Sequence, residues 1–256
     1  MLTIDFKGKT ALVTGVSSGI GRCIAEMFAK AGADIAGCSR SKKENDFAEL
    51  IQPYNVNYLY QPCDVTNEND LSDLVDTVVE RFGRIDFLVS NAGKNVFRGA
   101  EMCTQTEWDA NMQLNLTSHW QLAKLCKPYL EKTQGVIIIM ASNHAFSTIP
   151  GCFPYNVTKT ALTGLVRSLA IEWGPIIRTV GIAPGFIDTE GNQMWFDSFP
   201  DAAAERMRTE TMHPVKRIGT SEEVGAWCVF LASKYSAFAS GATYLLDGGR
   251  SALMQD

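Results

Sequence analysis

The 256-residue sequence has no long hydrophobic run and no dense cluster of basic residues. Its purely apolar runs, such as residues 136–141, are far too short to cross a bilayer, so no membrane partner is expected. The net charge of −5 and the lack of a Lys/Arg tract argue against binding to nucleic acid. The first residues lack a charged stretch followed by an apolar one, so no export segment is predicted.

Metal-binding and disulfide patterns are also missing. The cysteine count is seven, an odd number, and no pair has the CxxC spacing of a zinc or redox motif. The three histidines, His119, His144 and His213, form no ligand motif. We therefore expect reduced thiols, a cytoplasmic location and no metal site.

Short apolar segments alternate with longer segments of helical periodicity along the whole chain. The third strand is predicted at residues 56–60, and one long helix at about residues 108–130. This alternation predicts an α/β fold, a Rossmann-type doubly wound parallel sheet of about seven strands with helices on both faces. Since no repeat or low-complexity tract divides the chain, a single domain over residues 1–256 is expected. Ligands of such sheets bind beyond the carboxyl ends of the strands, so we look for functional residues there.

A glycine-rich turn with GxxxGxG spacing follows the first strand and opens into a helix. Glycines let the backbone approach a pyrophosphate, and the N–H groups at a helix start favour negative charge. The turn therefore predicts a dinucleotide site. Its candidate cofactor contacts are Gly15, Ser17, Ser18, Gly19, Ile20 and Gly21.

The end of the second strand bears on the choice of cofactor. A carboxylate there would bind the ribose 2′-hydroxyl of NAD, but the sequence has Ser39 and Arg40. An arginine at this place suits a 2′-phosphate, so NADP(H) is favoured over NAD(H), which stays open as the alternative.

Tyr155 and Lys159 stand four residues apart in a predicted helix and therefore share one face. A phenol has a pKa of about 10, and a nearby ammonium lowers that pKa by favouring the phenolate. Tyr155 is therefore a candidate acid/base for a carbinol or carbonyl. Ser142 directly follows the fifth strand, where its hydroxyl is a candidate donor to a substrate oxygen.

The order of these motifs resembles the short-chain dehydrogenase/reductase family over essentially the whole chain. The glycine-rich turn resembles the family's TGxxxGxG motif, and Ser142, Tyr155 and Lys159 resemble its serine and YxxxK motif. The other matching positions are Asp64-Val65, Asn91-Ala92-Gly93, Asn115, Pro184-Gly185 with Thr189, and Asp247-Gly248-Gly249.

The resemblance implies a role for each matching residue. Tyr155 is implied as the acid/base, and Lys159 as the group that lowers its pKa and holds the nicotinamide ribose. Ser142 is implied to orient the substrate oxygen, and Asn115 to hold a water that links Lys159 to solvent. The further cofactor contacts that it implies are Asp64, Val65, Asn91, Ala92, Gly93, Pro184, Gly185, Ile187 and Thr189. It also implies a homo-oligomer, commonly a tetramer.

The segments after the fourth, fifth and sixth strands supply the candidate substrate contacts, which are Asn95, Asn143, His144, Phe186 and Trp195. Residues 186–214 are rich in aromatic side chains and are predicted to form a mobile lid. Polar groups beside aromatic ones suit a sugar or polar polyol. The expected reaction is therefore NAD(P)-dependent hydride transfer between the cofactor and a carbonyl or secondary alcohol of such a substrate.

Two alternatives stay open. A 3-oxoacyl-[acyl-carrier-protein] reductase has nearly the same motifs and needs a basic surface beside the pocket, for which Lys94, Arg98, Lys216 and Arg217 are candidates. The other alternative is a non-catalytic dinucleotide-binding protein on the same fold. Such proteins can lose the tyrosine or the lysine, whereas this chain keeps both.

Overall fold

Strands and helices alternate along the chain in the order that the hydrophobic pattern predicts. The computed structural model describes residues 3–254. The strands are β1 (Thr10–Thr14), β2 (Asp34–Ser39), β3 (Tyr58–Pro62), β4 (Phe87–Ser90), β5 (Val136–Met140), β6 (Arg178–Pro184), β7 (Ile187–Asp188), β8 (Gly219–Thr220) and β9 (Thr243–Leu246). The helices are α1 (Gly19–Lys30), α2 (Glu44–Ile51), α3 (Glu68–Phe82), α4 (Gln105–Met112), α5 (Ser118–Thr133), α6 (Tyr155–Trp173), α7 (Glu190–Asp197), α8 (Ala202–Thr211) and α9 (Ser221–Ala232). Residues 1–2 and 255–256 of the predicted domain lie outside the described residues.

Seven strands form one parallel sheet in the order β3-β2-β1-β4-β5-β6-β9. The strand order reverses between β1 and β4, which is where sheets of this kind leave a crevice for ligands. Every residue of β1 and of β5 is buried, as expected for strands covered by helices on both faces. The predicted α/β fold with a doubly wound parallel sheet of about seven strands is confirmed.

The core consists of two apolar layers, one on each face of the sheet. Val13 and Ile138 point into the layer covered by α1 and α9, and their neighbours Leu12 and Ile137 point into the layer covered by α3, α5 and α6. Successive strand side chains alternate between the faces, so each central strand contributes to both layers. The sheet is thereby held rigidly, and its carboxyl edge provides fixed positions for polar side chains.

Two elements differ in their bounds from the sequence prediction. β3 begins at Tyr58, two residues later than predicted. The predicted helix at residues 108–130 begins earlier, at Gln105, because Thr104 and Glu107 form a reciprocal capping box. It is also not continuous, since the π-helical turn Gln113–Thr117 separates α4 from α5.

The predicted lid, residues 186–214, is a helical cap rather than an irregular loop. It begins with β7, which pairs with β8, and it contains α7 and α8. Arg206 of α8 joins these elements through its guanidinium group. That group contacts Asp188 of β7 in a short ion pair, Gln193 of α7 at 3.1 Å and Glu210 of α8 at 3.2 Å. The mobility of this cap stays a prediction.

Within residues 3–254, none of the helices combines the length and the apolarity that crossing a membrane requires. The same residues contain no group of three or more His, Cys, Asp or Glu side chains arranged to hold a metal ion.

Candidate active site

Tyr155 and Lys159 lie one turn apart at the start of α6, at the carboxyl edge of the sheet. Both are buried, with 8% and 3% of their surfaces exposed. The Lys159 Nζ lies 5.6 Å from the centroid of the Tyr155 ring. It donates a 2.8 Å hydrogen bond to the backbone oxygen of Met140, the last residue of β5. The helix and the strand thus fix the amino group next to the phenol.

Burial shifts the pKa values of both groups toward their neutral forms. It raises the pKa of the Tyr155 phenol to about 12, although a hydrogen bond with Ser142 acts in the lowering direction. It lowers the pKa of the Lys159 amino group to about 7. The effect of Lys159 on the pKa of Tyr155, which the family resemblance implies, stays a prediction. Desolvation outweighs the other influences on the phenol, and the amino group is directed at the Met140 oxygen.

Ser142 follows β5 and begins a short 3₁₀ turn. Its hydroxyl oxygen accepts a hydrogen bond from the backbone N–H of His144 at 3.2 Å and lies 3.4 Å from Asn143 Oδ1. The local backbone therefore fixes the position of this hydroxyl, which acts to lower the pKa of the Tyr155 phenol. Two hydroxyl groups on neighbouring elements can then share one substrate oxygen.

Asn115 is fully buried in the π-helical turn between α4 and α5. Its Oδ1 accepts from the Lys94 N–H at 3.0 Å, and its Nδ2 donates to the Lys94 oxygen at 2.9 Å and to Asn111 Oδ1 at 2.7 Å. A Cβ on Gly93 would lie 2.8 Å from Asn115 Oδ1 and 3.6 Å from Lys159 Nζ. Glycine at position 93 therefore leaves the Asn115 amide undisturbed next to Lys159. Insertions of a π turn of this kind occur frequently at functional sites.

The glycine-rich turn is anchored to the neighbouring strand. The backbone oxygen of Cys38 accepts hydrogen bonds from the N–H groups of Gly15 and Val16, at 2.8 and 3.2 Å. A Cβ on Gly21 would lie 2.2 Å from the Gly15 oxygen, so the turn closes only with glycine at position 21. Ser18, the N-cap residue of α1, makes no side-chain capping bond, in contrast to the N-cap residues of α3, α4, α7, α8 and α9. The uncapped N–H groups of α1 fit the pyrophosphate of a dinucleotide.

Thr14, which we did not single out as a functional residue, joins this turn to the Asn91-Ala92-Gly93 segment. Its Oγ1 accepts from the N–H groups of Asn91 and Ala92 at 3.0 and 2.9 Å. Asn91 Nδ2 in turn donates to the Thr14 oxygen at 2.9 Å. The feature of the sequence that could have identified Thr14 is its position directly before the first glycine of the motif.

The candidate contacts for the adenosine half of the cofactor meet at the ends of β2 and β3. Arg40 is exposed, whereas Ser39 is buried. Burial acts to raise the pKa of Asp64, but hydrogen bonds from Thr66 and the charge of Arg40 outweigh it and hold that pKa below its usual range. Arg40 and Asp64 are therefore electrostatic neighbours. At the other end of the crevice, the Thr189 side chain lies close to Gly19. A Cβ on Gly19 would lie 3.2 Å from Thr189 Cγ2.

The remaining cofactor candidates lie on the same edge of the sheet. Val65 is buried and follows β3, Pro184 ends β6, and Ile187 is buried in β7. A Cβ on Gly185 would lie 2.7 Å from the Cβ of Asp247, which brings the segments after β6 and β9 together.

The candidate substrate contacts divide into two groups. In the first group, the ring of His144 lies 6.1 Å from the Tyr155 ring in edge-on geometry, and the ring of Phe97, two residues after Asn95, lies 5.7 Å from it in the same geometry. Phe186 and Trp195 contact each other across 5.5 Å on the cap. Asn95 is exposed. In the same segment, it is the ring of Phe97 that packs near the Tyr155 ring.

The ring nitrogens of His144 face other protein groups. Nδ1 lies 3.2 Å from Thr148 Oγ1, and Nε2 lies 4.0 Å from Cys152 Sγ. Burial lowers the pKa of this imidazole, so its neutral form is favoured. His144 thus lies next to Tyr155 in its neutral form, and Asn143 is the adjacent polar side chain.

Two of the basic residues proposed for an acyl-carrier surface are paired within the chain. Arg98 forms a short ion pair with Glu107, and Arg217 Nη2 lies 2.6 Å from Glu223 Oε1. The positive charge available to an acidic partner is reduced accordingly.

Comparison with known proteins gives matches over nearly the whole chain. The family model described as enoyl-(acyl carrier protein) reductase matches residues 15–251. The human protein named dehydrogenase/reductase SDR family member 4 is 37% identical over 246 residues, which cover 94% of this chain and 87% of that protein. A probable NADP-dependent mannitol dehydrogenase from Yarrowia lipolytica is 34% identical over 255 residues, with 97% and 95% coverage. L-Sorbose reductase from Gluconobacter frateurii, solved with NADPH and L-sorbose, has a TM-score of 0.94 at 31% identity and covers 99% of this chain and 100% of its own.

Proposed function

The chain belongs to the short-chain dehydrogenase/reductase family and is an oxidoreductase that uses a nicotinamide cofactor, and we propose that it acts on a sugar or polar polyol with NADP(H). The observation that carries this proposal is the convergence of Ser142, Tyr155 and Lys159 beside the polar side chain of Asn143. The names of two relatives, a mannitol dehydrogenase and an L-sorbose reductase, support the same substrate class.

The proposed catalytic residues handle the proton of the reaction. The bound nicotinamide supplies or accepts the hydride. In reduction, the substrate oxygen takes a proton from the Tyr155 hydroxyl while Ser142 donates a hydrogen bond to the same oxygen. Lys159 then returns a proton to Tyr155, and in oxidation the proton moves in the reverse direction. Asn115, whose amide oxygen and nitrogen are both engaged with Lys94, keeps the neighbourhood of Lys159 in place.

Binding of the cofactor is assigned to the segments that follow β1 to β4 and β6. The uncapped start of α1 receives the pyrophosphate, and Arg40, which follows Ser39, receives the 2′-phosphate. The NADP dependence in the name of the mannitol dehydrogenase and the NADPH bound to L-sorbose reductase support this preference.

A panel of aldoses, ketoses, polyols, β-ketoacyl and enoyl thioesters and steroids, assayed with NADPH and NADH, tests the substrate class. We expect turnover with sugars or polyols that Tyr155→Phe abolishes without loss of NADPH binding. Turnover with acyl thioesters alone would overturn the proposal in favour of the acyl-carrier alternative. Binding of the cofactor without turnover of any substrate would favour the non-catalytic alternative.

We also propose a single cytoplasmic domain that assembles as a homotetramer. Exposed apolar side chains on several elements support assembly, among them Ile171 at 81% and Phe238 at 104% of full exposure. Light scattering that gives the mass of one chain would contradict the tetramer.

A further inference from the structure

Three hydroxyl groups form a cluster directly beside Arg40, and one of them comes from a strand that contributes no motif. Ser39 Oγ lies 2.6 Å from the Tyr60 hydroxyl oxygen and 3.1 Å from Ser41 Oγ. The Tyr60 hydroxyl also donates a short hydrogen bond to the backbone oxygen of Ser41. Tyr60 and Ser39 are buried, at 7% and 8% exposure, whereas Ser41 is exposed. We call Ser39, Ser41 and Tyr60 the hydroxyl cluster.

The direction of each hydrogen bond in the hydroxyl cluster follows from counting protons. A tyrosine hydroxyl has one proton, and Tyr60 donates it to the Ser41 backbone oxygen. Tyr60 must therefore accept the proton of Ser39, and Ser39 in turn accepts the proton of Ser41. The alternative bond from Ser39 Oγ to the Ser41 backbone oxygen is longer, at 3.4 Å. Tyr60 is thus the group that holds the Ser41 carbonyl toward the sheet.

The ring of Tyr60 is itself fixed. Phe47 of α2 packs against it at a centroid distance of 5.4 Å. Phe47 also fills the space above Gly37, where a Cβ would lie 2.6 Å from the Phe47 ring. Gly37 and Tyr60 are register partners in β2 and β3, so the hydroxyl of Tyr60 reaches the end of β2 from a rigid position.

We propose that Tyr60 is a positioning residue for recognition of the cofactor 2′-phosphate. A carbonyl oxygen that faced a phosphate would repel it, and Tyr60 removes that oxygen from the surface by donating to it. The same bond sets the backbone of residues 40–42, so that the Arg40 guanidinium and the Ser41 hydroxyl remain available to the phosphate. The Ser41 proton is the one in the hydroxyl cluster that can turn from Ser39 to a new acceptor, because Ser39 donates its proton to Tyr60 and Tyr60 donates its proton to the Ser41 backbone oxygen.

This inference rests on the proposed preference for NADP(H), and the test separates the two. Binding of NADPH, NADH, 2′,5′-ADP and 5′-AMP is measured by calorimetry on the wild type, Tyr60→Phe and Tyr58→Phe. Tyr58 is the matched control because it lies on the same strand and also contacts Phe47, at 6.3 Å, outside the hydroxyl cluster. The fragments 2′,5′-ADP and 5′-AMP differ by the 2′-phosphate, so their comparison isolates that group without any turnover.

For Tyr60→Phe we expect about five- to tenfold weaker binding of NADPH and 2′,5′-ADP, the effect of losing one orienting hydrogen bond. Binding of NADH and 5′-AMP should stay within about twofold, and Tyr58→Phe should leave all four ligands unchanged. An equal loss for both cofactors would overturn the proposal, since it would indicate a general structural role. So would a Tyr60→Phe variant that keeps the full preference of the wild type.

If the wild type binds NADH as tightly as NADPH, the cofactor preference itself fails, and the role of Tyr60 fails with it. If the wild type prefers NADPH and Tyr60→Phe retains that preference, the role of Tyr60 alone is refuted. Should Tyr60→Phe fold poorly, Ser41→Ala at an exposed position tests the same cluster. Its loss should be confined to the ligands that carry a 2′-phosphate, and a uniform loss or none would refute the inference.

Discussion

Lys159 Nζ donates a 2.8 Å hydrogen bond to the backbone oxygen of Met140, which ties the start of α6 to the end of a central strand. The bond gives a buried amino group one good acceptor, yet burial still lowers its pKa to about 7. Lys159, the proposed proton donor to Tyr155, therefore titrates in the neutral range. Its charge state decides whether it gives a proton to Tyr155 or takes one from it.

We expect opposite pH dependences for the two directions of the reaction. Below about pH 7, Lys159 is protonated and can resupply Tyr155, so kcat/KM for reduction should be high and should fall as the pH rises through 7. Oxidation needs a neutral Lys159 to take up the proton, so its kcat/KM should rise over the same range. Initial rates from pH 5 to 10 in both directions check this. Parallel profiles, or an inflection that Lys159→Arg leaves in place, would contradict it.

Replacement of Lys159 by methionine should stabilise the fold and abolish turnover. Folding lowers the pKa of Lys159 from about 10.4 to about 7. This shift reduces the free energy of unfolding at every pH below about 10.4, and the full reduction is reached below about pH 7. We expect Lys159→Met to raise the melting temperature by about 5 °C at pH 7, with the gain shrinking toward pH 10.

The exposed lysine Lys42 provides the control for that comparison. Lys42→Met should shift the melting temperature by no more than about 2 °C at either pH. A Lys159→Met variant that melts below the wild type at pH 7 would show that the bond to Met140 outweighs the cost of burying the amino group.

Most of the fold was predictable because the strands are short continuous apolar runs that alternate with amphipathic segments. The break between α4 and α5 was not, since a π turn has no clear sequence signal. The start of α4 was readable, because Thr104 and Glu107 have the spacing of a capping box. The boundary error at that helix was therefore avoidable.

The candidate site was predictable where residues follow strands, and less so where strand register brings distant residues together. Tyr60 is 21 residues from Ser39, and the pairing of β2 with β3 places their hydroxyls within 2.6 Å. Register is set by packing of whole elements and cannot be read from a motif. The raised pKa of Tyr155 has a related cause, since it depends on burial that no i, i+4 spacing reports.

Gly93→Ala should impair catalysis through Asn115 and Lys159 without unfolding the protein. The new Cβ would lie 2.8 Å from Asn115 Oδ1, which is closer than real contacts allow, so the amide must move. We expect kcat to fall by about tenfold or more, with a melting temperature within about 4 °C of the wild type. Gly191→Ala, where a Cβ meets nothing within 4 Å, is the control and should retain full kcat. Equal activity of the two variants would refute the role given to the Gly93 contact.

Arg206 should control how well the cap, residues 186–214, closes over the substrate. Its guanidinium lies 5.5 Å from the Phe196 ring and bonds to Asp188, Gln193 and Glu210, and so it joins β7, α7 and α8. A lysine cannot reproduce this planar set of donors. Arg206→Lys should therefore raise KM for the substrate by roughly three- to tenfold and leave the Kd of NADPH within about twofold.

The neighbouring Arg208 distinguishes this role from a general effect of charge on α8. Its guanidinium bonds to Glu205, one turn away on the same helix, at 2.9 Å, so Arg208→Lys leaves the connections between cap elements intact. Steady-state kinetics of both variants with the best substrate from the panel, together with calorimetric titration of NADPH, give the comparison. A similar rise in KM for both arginine variants would point to surface charge instead. If Arg206→Lys instead weakens the binding of NADPH, the ion pair with Asp188 positions the adjacent Thr189 for the cofactor. In that case it does not act on the substrate through the cap.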